Sequence, residues 1–306
     1  MIQKLLSSPF ILAFCGIFLL NSIHAKGQIQ DSTQVKLQKL LDEFPAKIGI
    51  ATHFQAKGSN TKQAIFSYHA QDGFISMSTI KLPIAIACFN QVEAGKLNLS
   101  KTVQFNQKDL ESPSYSPMRD SVEDRFTTTI KTCLLYACKY SDNIATDKQL
   151  DALGGVQKTQ EILVKLGLKG IKVGTHYRDM DSSRLTLNLA TPEGMNELLF
   201  ALANGKLLNQ THTKLLTTWM RDTPTGQDRL KGALPKTIPV VHKTGTFYFD
   251  ETSPVIALND VGYLELPEGR LFISAFINQS KLPAEHCSAL IAKVAQLLSQ
   301  ELSSAH

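Results

Sequence analysis

The chain has 306 residues, 43% hydrophobic and 8% aromatic, with 32 basic and 27 acidic side chains and a formal charge of +5. That length and apolar content suit one large domain or two interleaved lobes around a sizeable core. The charge is mild, and no basic block or basic–aromatic patch occurs, so nucleic acid is not an expected partner.

Met1 to about Ala25 reads as a secretory leader, with Lys4 as its positive end and Phe10 to Leu20 as a short apolar core. That core is too short for a comfortable membrane span. Ile23-His24-Ala25 suits cleavage; a retained N-terminal helix is the alternative. Phe14, bulky before Cys15, argues against a lipoprotein site. Cleavage places the chain in the periplasm or outside the cell, without a stable membrane span, where disulfides are permitted. Cys88, Cys133, Cys138 and Cys287 then remain. Cys88 can bridge to Cys133 or Cys138, or all can be buried thiols. No CxxC or histidine cluster suggests a metal site, and no cofactor is expected.

In chain order, Asp31 to Leu41 predicts an amphipathic helix, and Ile48 to Phe54 with Ala64 to Tyr68 a strand pair around Gly58-Ser59-Asn60. A buried helix is expected from Ser78 to about Gly95. Residues 101–127 read as irregular, broken by Ser112-Pro113 and Ser116-Pro117. Helices follow over Thr128 to Tyr140, after Ser141 until Gly154-Gly155, and over Val156 to Leu166. Residues 168–190 form a long loop. Thr191-Pro192-Glu193 opens a helix to about Ala203, and another covers Asn209 to Met220. Strands are expected at Val240 to Thr246, Val255 to Leu264 and Leu271 to Asn278, before a last helix from Ala284 to about Leu302. The fold class is α+β: an antiparallel sheet drawn from both ends, flanked by the N- and C-terminal helices, with an all-helical lobe inserted. The boundaries are a leader at 1–25, an α/β lobe at about 26–75 and 236–306, and a helical lobe at about 76–235.

The chain is organised around Ser78-Thr79-Ile80-Lys81. On a helix Lys81 lies at i+3 from Ser78, on the same face, so its amine can reach the hydroxyl. Unpaired N–H groups of a first turn can receive an oxyanion. S-x-x-K alone is weak: Ser59-Asn60-Thr61-Lys62 is a second copy, in a polar patch that reads as a hairpin tip. The Ser78 copy is followed, in order, by Ser141-Asp142-Asn143 and Lys243-Thr244-Gly245. Together they supply what acyl transfer requires: nucleophile, base, oxyanion site and leaving-group acid. Lys81 and Lys243, if close, lower each other's pKa, which favours a neutral base. Asp142 reads as a backbone-holding residue.

These three motifs resemble those of the class A serine β-lactamases of the penicillin-recognising superfamily. The likeness extends to Tyr115-Ser116-Pro117, Trp219-Met220, Thr223-Pro224-Thr225-Gly226, Leu234-Pro235 and His242 to Thr246. The longer 101–127 segment resembles the extended-spectrum branch. The resemblance implies a β-lactamase/transpeptidase-like fold, a small-molecule β-lactam substrate, a role in antibiotic resistance and a monomer. It implies that Ser78 attacks the lactam carbonyl, Lys81 accepts its proton, and the N–H groups of Ser78 and Thr246 form the oxyanion hole. It further implies that Ser141 carries a proton to the lactam nitrogen and Asn143 binds the substrate's side-chain amide. Lys243, Thr244, Gly245 and Thr246 would line the carboxylate site, with Tyr115 at the substrate. Lys231 and Arg229 are candidates for a further cation there.

One departure stands out. Class A enzymes carry a loop glutamate that activates the deacylating water. Here the spacing counted forward from Ser141 lands near Tyr177, and counted back from Thr191-Pro192 it lands near Thr175. Neither is acidic. Asp179 is the chosen substitute, with Asp181 and His176 as alternatives; loop ion pairs with Arg178 or Arg184 are the competing reading of the two aspartates. The expected function is β-lactam hydrolysis through a Ser78 acyl-enzyme with slow deacylation. A DD-peptidase-like acyltransferase and a non-hydrolytic penicillin-binding protein that stays acylated are the alternatives.

Overall fold

The computed structural model describes residues 29–121, 127–181 and 187–304. The expected leader and its cleavage site, and Arg184, lie outside them. Helix α1 (Asp31–Asp42) buries Leu37 and Leu41 and leads into β1 (Lys47–Ala56) and β2 (Gln63–Tyr68). The short strand β3 (Phe74–Ile75) and a 3₁₀ turn (Met77–Ile80) precede α2 (Lys81–Glu93). Ser78 therefore lies on a 3₁₀ turn and Lys81 opens the α-helix, a correction to the single helix expected from Ser78. The tighter turn serves the pair, because i and i+3 side chains eclipse in 3₁₀ geometry. Lys81 through Phe89 are all buried, as suits a helix apolar all round.

The segment read as irregular holds β4 (Thr102–Gln104), α3 (Gln107–Glu111), α4 (Pro117–Asp120) and β5 (Thr127–Thr129), and β4 pairs antiparallel with β5. Helices α5 (Ile130–Lys139), α6 (Asn143–Leu153) and α7 (Val156–Lys165) follow. Gly154 caps α6 in the left-handed conformation, which glycine enters without a Cβ penalty. Among its described residues the long loop carries β6 (Ile171–Lys172) and β7 (Leu189–Ala190). Thr191 caps α8 (Pro192–Ala203) by accepting from the Gly194 N–H. Then come α9 (Gln210–Arg221), β8 (Val240–Phe247), β9 (Ala257–Leu266), β10 (Gly269–Asn278) and α10 (Ala284–Ser304).

The main sheet runs β2-β1-β10-β9-β8, antiparallel throughout, so that β1 pairs with β10 and joins the two ends of the chain. Leu37 and Leu41 of α1 and Leu290, Ile291 and Val294 of α10 share one core with Ile50 and Ile273 of the sheet. The second core joins Phe272 and Phe276 of the sheet to α2, α8 and the other helices. Strand β8 is at one edge of the sheet, opposite β2, and it meets the 3₁₀ turn. The cysteines Cys88, Cys133, Cys138 and Cys287 are free and buried. The second S-x-x-K copy is at the β1–β2 hairpin: Ser59 bonds Thr61, and Lys62 pairs with Glu197, 2.5 Å away. Among the described residues no helix is long and apolar enough to cross a membrane.

Candidate active site

The turn bearing Ser78 is fixed by amides from distant segments. Asn259 of β9 donates to Ile75 O and Ser76 O (2.9 and 3.1 Å), and Asn278 of β10 accepts from the Ile75 N–H (2.7 Å). Ser76 donates from both its N–H and its hydroxyl to Asn188 O (3.1 and 2.9 Å). Thr79 donates back to Ser76 O. Met77 and Ser141, which flank the reactive groups, have φ of 46° and 61°. Left-handed backbone at non-glycine residues costs about 1–2 kcal/mol each and persists where the surroundings over-determine it.

The three motifs converge. Lys81 Nζ lies 3.0 Å from Ser78 Oγ, 2.5 Å from Ser141 O, 2.6 Å from Asn143 Oδ1 and 3.4 Å from Ser141 Oγ. Lys243 Nζ donates to Ser141 Oγ at 2.9 Å and to Thr244 O at 3.0 Å. The Ser141 hydroxyl thus bridges the two lysines. Both lysines are buried. Burial, followed by the charge of Lys243, pushes the Lys81 amine well below its usual range. Burial lowers Lys243 to about 8. Asp142 caps α6 at the Ala145 N–H (2.7 Å) and accepts from Ser116 Oγ and the Met118 N–H. It organises the backbone around Ser141, as its sequence context suggested.

A cavity of about 750 Å³ opens on Ser78, Ser141 and Asn143. Thr225, Arg229, Thr244 and Thr246 form its polar wall, while Tyr115, Met180, Phe247 and Phe249 form an apolar rim. Gly245 does not line it; its role is close approach. A Cβ there would stand 2.6 Å from Ser76 O and 3.0 Å from the Ser78 N. Only glycine lets the β8 edge lie this near the nucleophile turn. Of the two candidates for a further cation, Arg229 is the one that lines the cavity. It donates to Thr246 Oγ1 (2.6 Å), Asn259 O (2.9 Å) and Gly245 O (3.2 Å), all neutral oxygens. Lys231 instead donates to Arg221 O. Behind this wall, His242 Nδ1 pairs with Asp260 at 2.9 Å, both buried, and Asp260 also accepts from the Leu230 N–H.

The loop contradicts the sequence choice of Asp179 as the carboxylate at the nucleophile. Its side chain is about half exposed, lies 3.6 Å from His176 Nδ1, and lines a different cavity with Arg178 and Asp109. His176 turns toward Asp151 and Asp179. Asp181 is at the rim of the Ser78 cavity. The described loop residue in contact with both the Ser78 turn and Lys81 is Tyr177. It is buried, its hydroxyl donates to Met77 O (3.1 Å) beside Ser78, and its ring centre lies 4.5 Å from Lys81 Nζ. The cause lies in α6. Asp147 accepts from the Tyr177 and Arg178 N–H groups (2.7 and 2.8 Å), while Arg178 Nη1 holds Asp151 at 2.9 Å. This capture of the 177–178 backbone turns Tyr177 inward and leaves Arg178 and Asp179 exposed. Sequence reasoning passed over Asp147, although Asn143, Asp147 and Asp151 recur every fourth residue and so share one helix face. It also passed over Ser114, whose Oγ accepts from Asn143 Nδ2 at 3.0 Å, and Asn188, which binds the N–H groups of Gly174 and Thr175.

The model of the β-lactamase enzyme family matches residues 32–302. "Beta-lactamase VEB-1" of Pseudomonas aeruginosa is 33% identical over 87% of this chain and 89% of its own length. "Extended-spectrum beta-lactamase PER-1" of the same organism is 32% identical over 73% of each. Among solved structures, a β-lactamase from Chitinophaga pinensis DSM 2588 superposes with a TM-score of 0.81 at 25% identity, covering 88% of this chain and 99% of that one. A class A β-lactamase from Bacteroides cellulosilyticus DSM 14838 gives 0.80 at 27% identity, covering 89% and 97%.

Proposed function

The chain belongs to the β-lactamase enzyme family and hydrolyses β-lactams as a class A serine enzyme, and we propose that it does so through an acyl-enzyme on Ser78. The observation that carries this reading is the continuous contact from Ser78 Oγ through Lys81 Nζ and Ser141 Oγ to Lys243 Nζ. Neutral Lys81 takes the Ser78 proton as Oγ attacks the lactam carbonyl. The N–H groups of Ser78 and Thr246 receive the oxyanion, at the place where Gly245 brings the edge strand against the turn. Ser141 accepts a hydrogen bond from Lys243, which leaves its own O–H to protonate the departing nitrogen; Lys81 restores that proton.

Lys243, Arg229, Thr244 and Thr246 bind the substrate carboxylate. Arg229 is a buried cation whose direct hydrogen-bond partners among the described residues are neutral oxygens, with Asp260 and Asp228 acting on its charge only from further off, so a substrate carboxylate here supplies a direct anionic partner. Asn143 binds the side-chain amide, and Tyr115 lies along the apolar rim. The slow step is deacylation: no carboxylate is among the described hydrogen-bond partners of Ser78 or Lys81, and Tyr177 fills the place beside them. The enzyme acts as an exported monomer after loss of the leader at about Ala25.

Intact-mass spectrometry with penicillin tests the core of this reading. Wild type gains the mass of one ring-opened β-lactam, and Ser78→Ala gains none. An adduct that persists in the variant moves the nucleophile elsewhere.

A further inference from the structure

We propose that Lys81 is the base in both halves of the cycle, taking a proton from the deacylating water as well as from Ser78. The proposal rests on the Ser78 acyl-enzyme reading above. It begins with a count of donors and acceptors. Ser141 O and Asn143 Oδ1, the two oxygens closest to Lys81 Nζ, are carbonyl oxygens and can only accept. A neutral amine has two N–H groups and one lone pair. Both N–H groups are taken by these carbonyls, so the lone pair is left for Ser78 Oγ at 3.0 Å. Ser114 holds this arrangement by accepting from Asn143 Nδ2, which keeps Oδ1 toward the lysine. Once Ser78 is acylated its oxygen has no proton to give, and the oriented lone pair is available to a water at the ester carbon.

Of the other candidates, Asp181 stands at the rim of the Ser78 cavity and is not among the described hydrogen-bond partners of Lys81, and the rest are engaged elsewhere. Both carboxylate oxygens of Asp147 accept backbone N–H groups of the loop. Asp179 lines another cavity. Tyr177 is a buried phenol whose acidity is weakened by burial, so it stays neutral and cannot accept a proton. The groups facing Lys81 are Lys243 from β8, Asp142 and Asp147 from α6, Cys138 from α5 and Tyr177 from the loop. Burial and Lys243 favour the neutral amine; the two aspartates oppose it.

The step balances. Water oxygen bonds to the ester carbon while Lys81 takes one water proton and the carbonyl electron pair moves to oxygen. Collapse re-forms the C=O bond and breaks the bond to Ser78 Oγ, which takes the proton back from Lys81. The acid product leaves with the free enzyme restored.

Stopped-flow acylation and chase-monitored deacylation of a nitrocefin adduct, each from pH 5 to 10, test the proposal. Both rates are expected to rise with pH and level off at midpoints within one pH unit of each other. Asp179→Asn and His176→Ala are expected to leave the ratio of deacylation to acylation within threefold of wild type, and Asp181→Asn and Tyr177→Phe to move both rates together. A deacylation midpoint more than one unit below that of acylation overturns the proposal. So does a tenfold fall in deacylation alone in any of the four variants. If wild type forms no adduct at all, the acyl-enzyme reading fails instead, which the mass spectrum shows before any rate is measured.

Discussion

The ring of Tyr177 lies 4.5 Å from the Lys81 amine, and the Tyr177 hydroxyl donates to Met77 O, the residue before the nucleophile. On the proposed mechanism acylation needs Ser78, Lys81 and Ser141, and these side chains lie in contact. Deacylation needs an activated water, and a phenol stands beside the lysine proposed as base. We therefore expect a nitrocefin time course with a burst close to one equivalent, then a steady rate at least tenfold slower. A linear trace from the first turnover, with no adduct in quenched samples, sinks this expectation.

The polar wall separates two cations that sequence left open. Lys243→Ala and Arg229→Ala should each lower kcat/KM for a carboxylated β-lactam by about ten- to a hundredfold, since a charge-assisted bond contributes about 1.5–3 kcal/mol, with the larger loss for Lys243, which also holds Ser141. Lys231→Ala should stay within about threefold, because Lys231 bonds Arg221 O. Equal losses in all three variants contradict this placement of the carboxylate.

Gly245→Ala forces a methyl to 2.6 Å from Ser76 O, and a backbone oxygen cannot rotate away. The β8 edge must then separate from the Ser78 turn. Overpacking of this kind costs about 1–3 kcal/mol. We expect a folded protein, with a melting temperature lowered by a few degrees, whose acylation rate falls at least tenfold. Wild-type acylation would show that the strand edge and the turn need not touch.

Asp147 gives stability a pH dependence of defined sign. Burial raises its carboxyl from 3.8 to about 6, against the opposing effect of the two N–H groups. A carboxyl with a raised folded pKa contributes most below the unfolded value, and that contribution is lost as pH rises through about 6. The difference amounts to roughly 3 kcal/mol at about 1.4 kcal/mol per pKa unit. Asp147→Asn cannot titrate. Its urea midpoint relative to wild type should therefore improve between pH 4 and pH 7. A constant offset across that range overturns the assignment.

Much of the site was legible in the chain itself. Ser78 and Lys81 are three residues apart, and any helical turn brings such a pair together. Asp142 and Thr191 announce the starts of α6 and α8 through cap chemistry confined to four residues. The apolar runs of β9 and β10 and the periodic apolar residues of α1 and α10 mark the sheet and its covering helices. These features depend on interactions within a few residues, so the local pattern contains their cause.

The tertiary structure alone decided which loop residue faces the nucleophile. Tyr177 and Asp179 are two positions apart, and nothing local determines which turns inward. That choice belongs to Asp147, thirty residues earlier, which captures the 177–178 backbone. Arg229 is likewise set apart from its near neighbour Lys231 by the distant carbonyl it meets at Asn259. The approach of Gly245 to Ser76 joins segments some 170 residues apart. In each case the deciding partner is far away in sequence, and the contact forms only when the sheet from both chain ends closes on the helices between them.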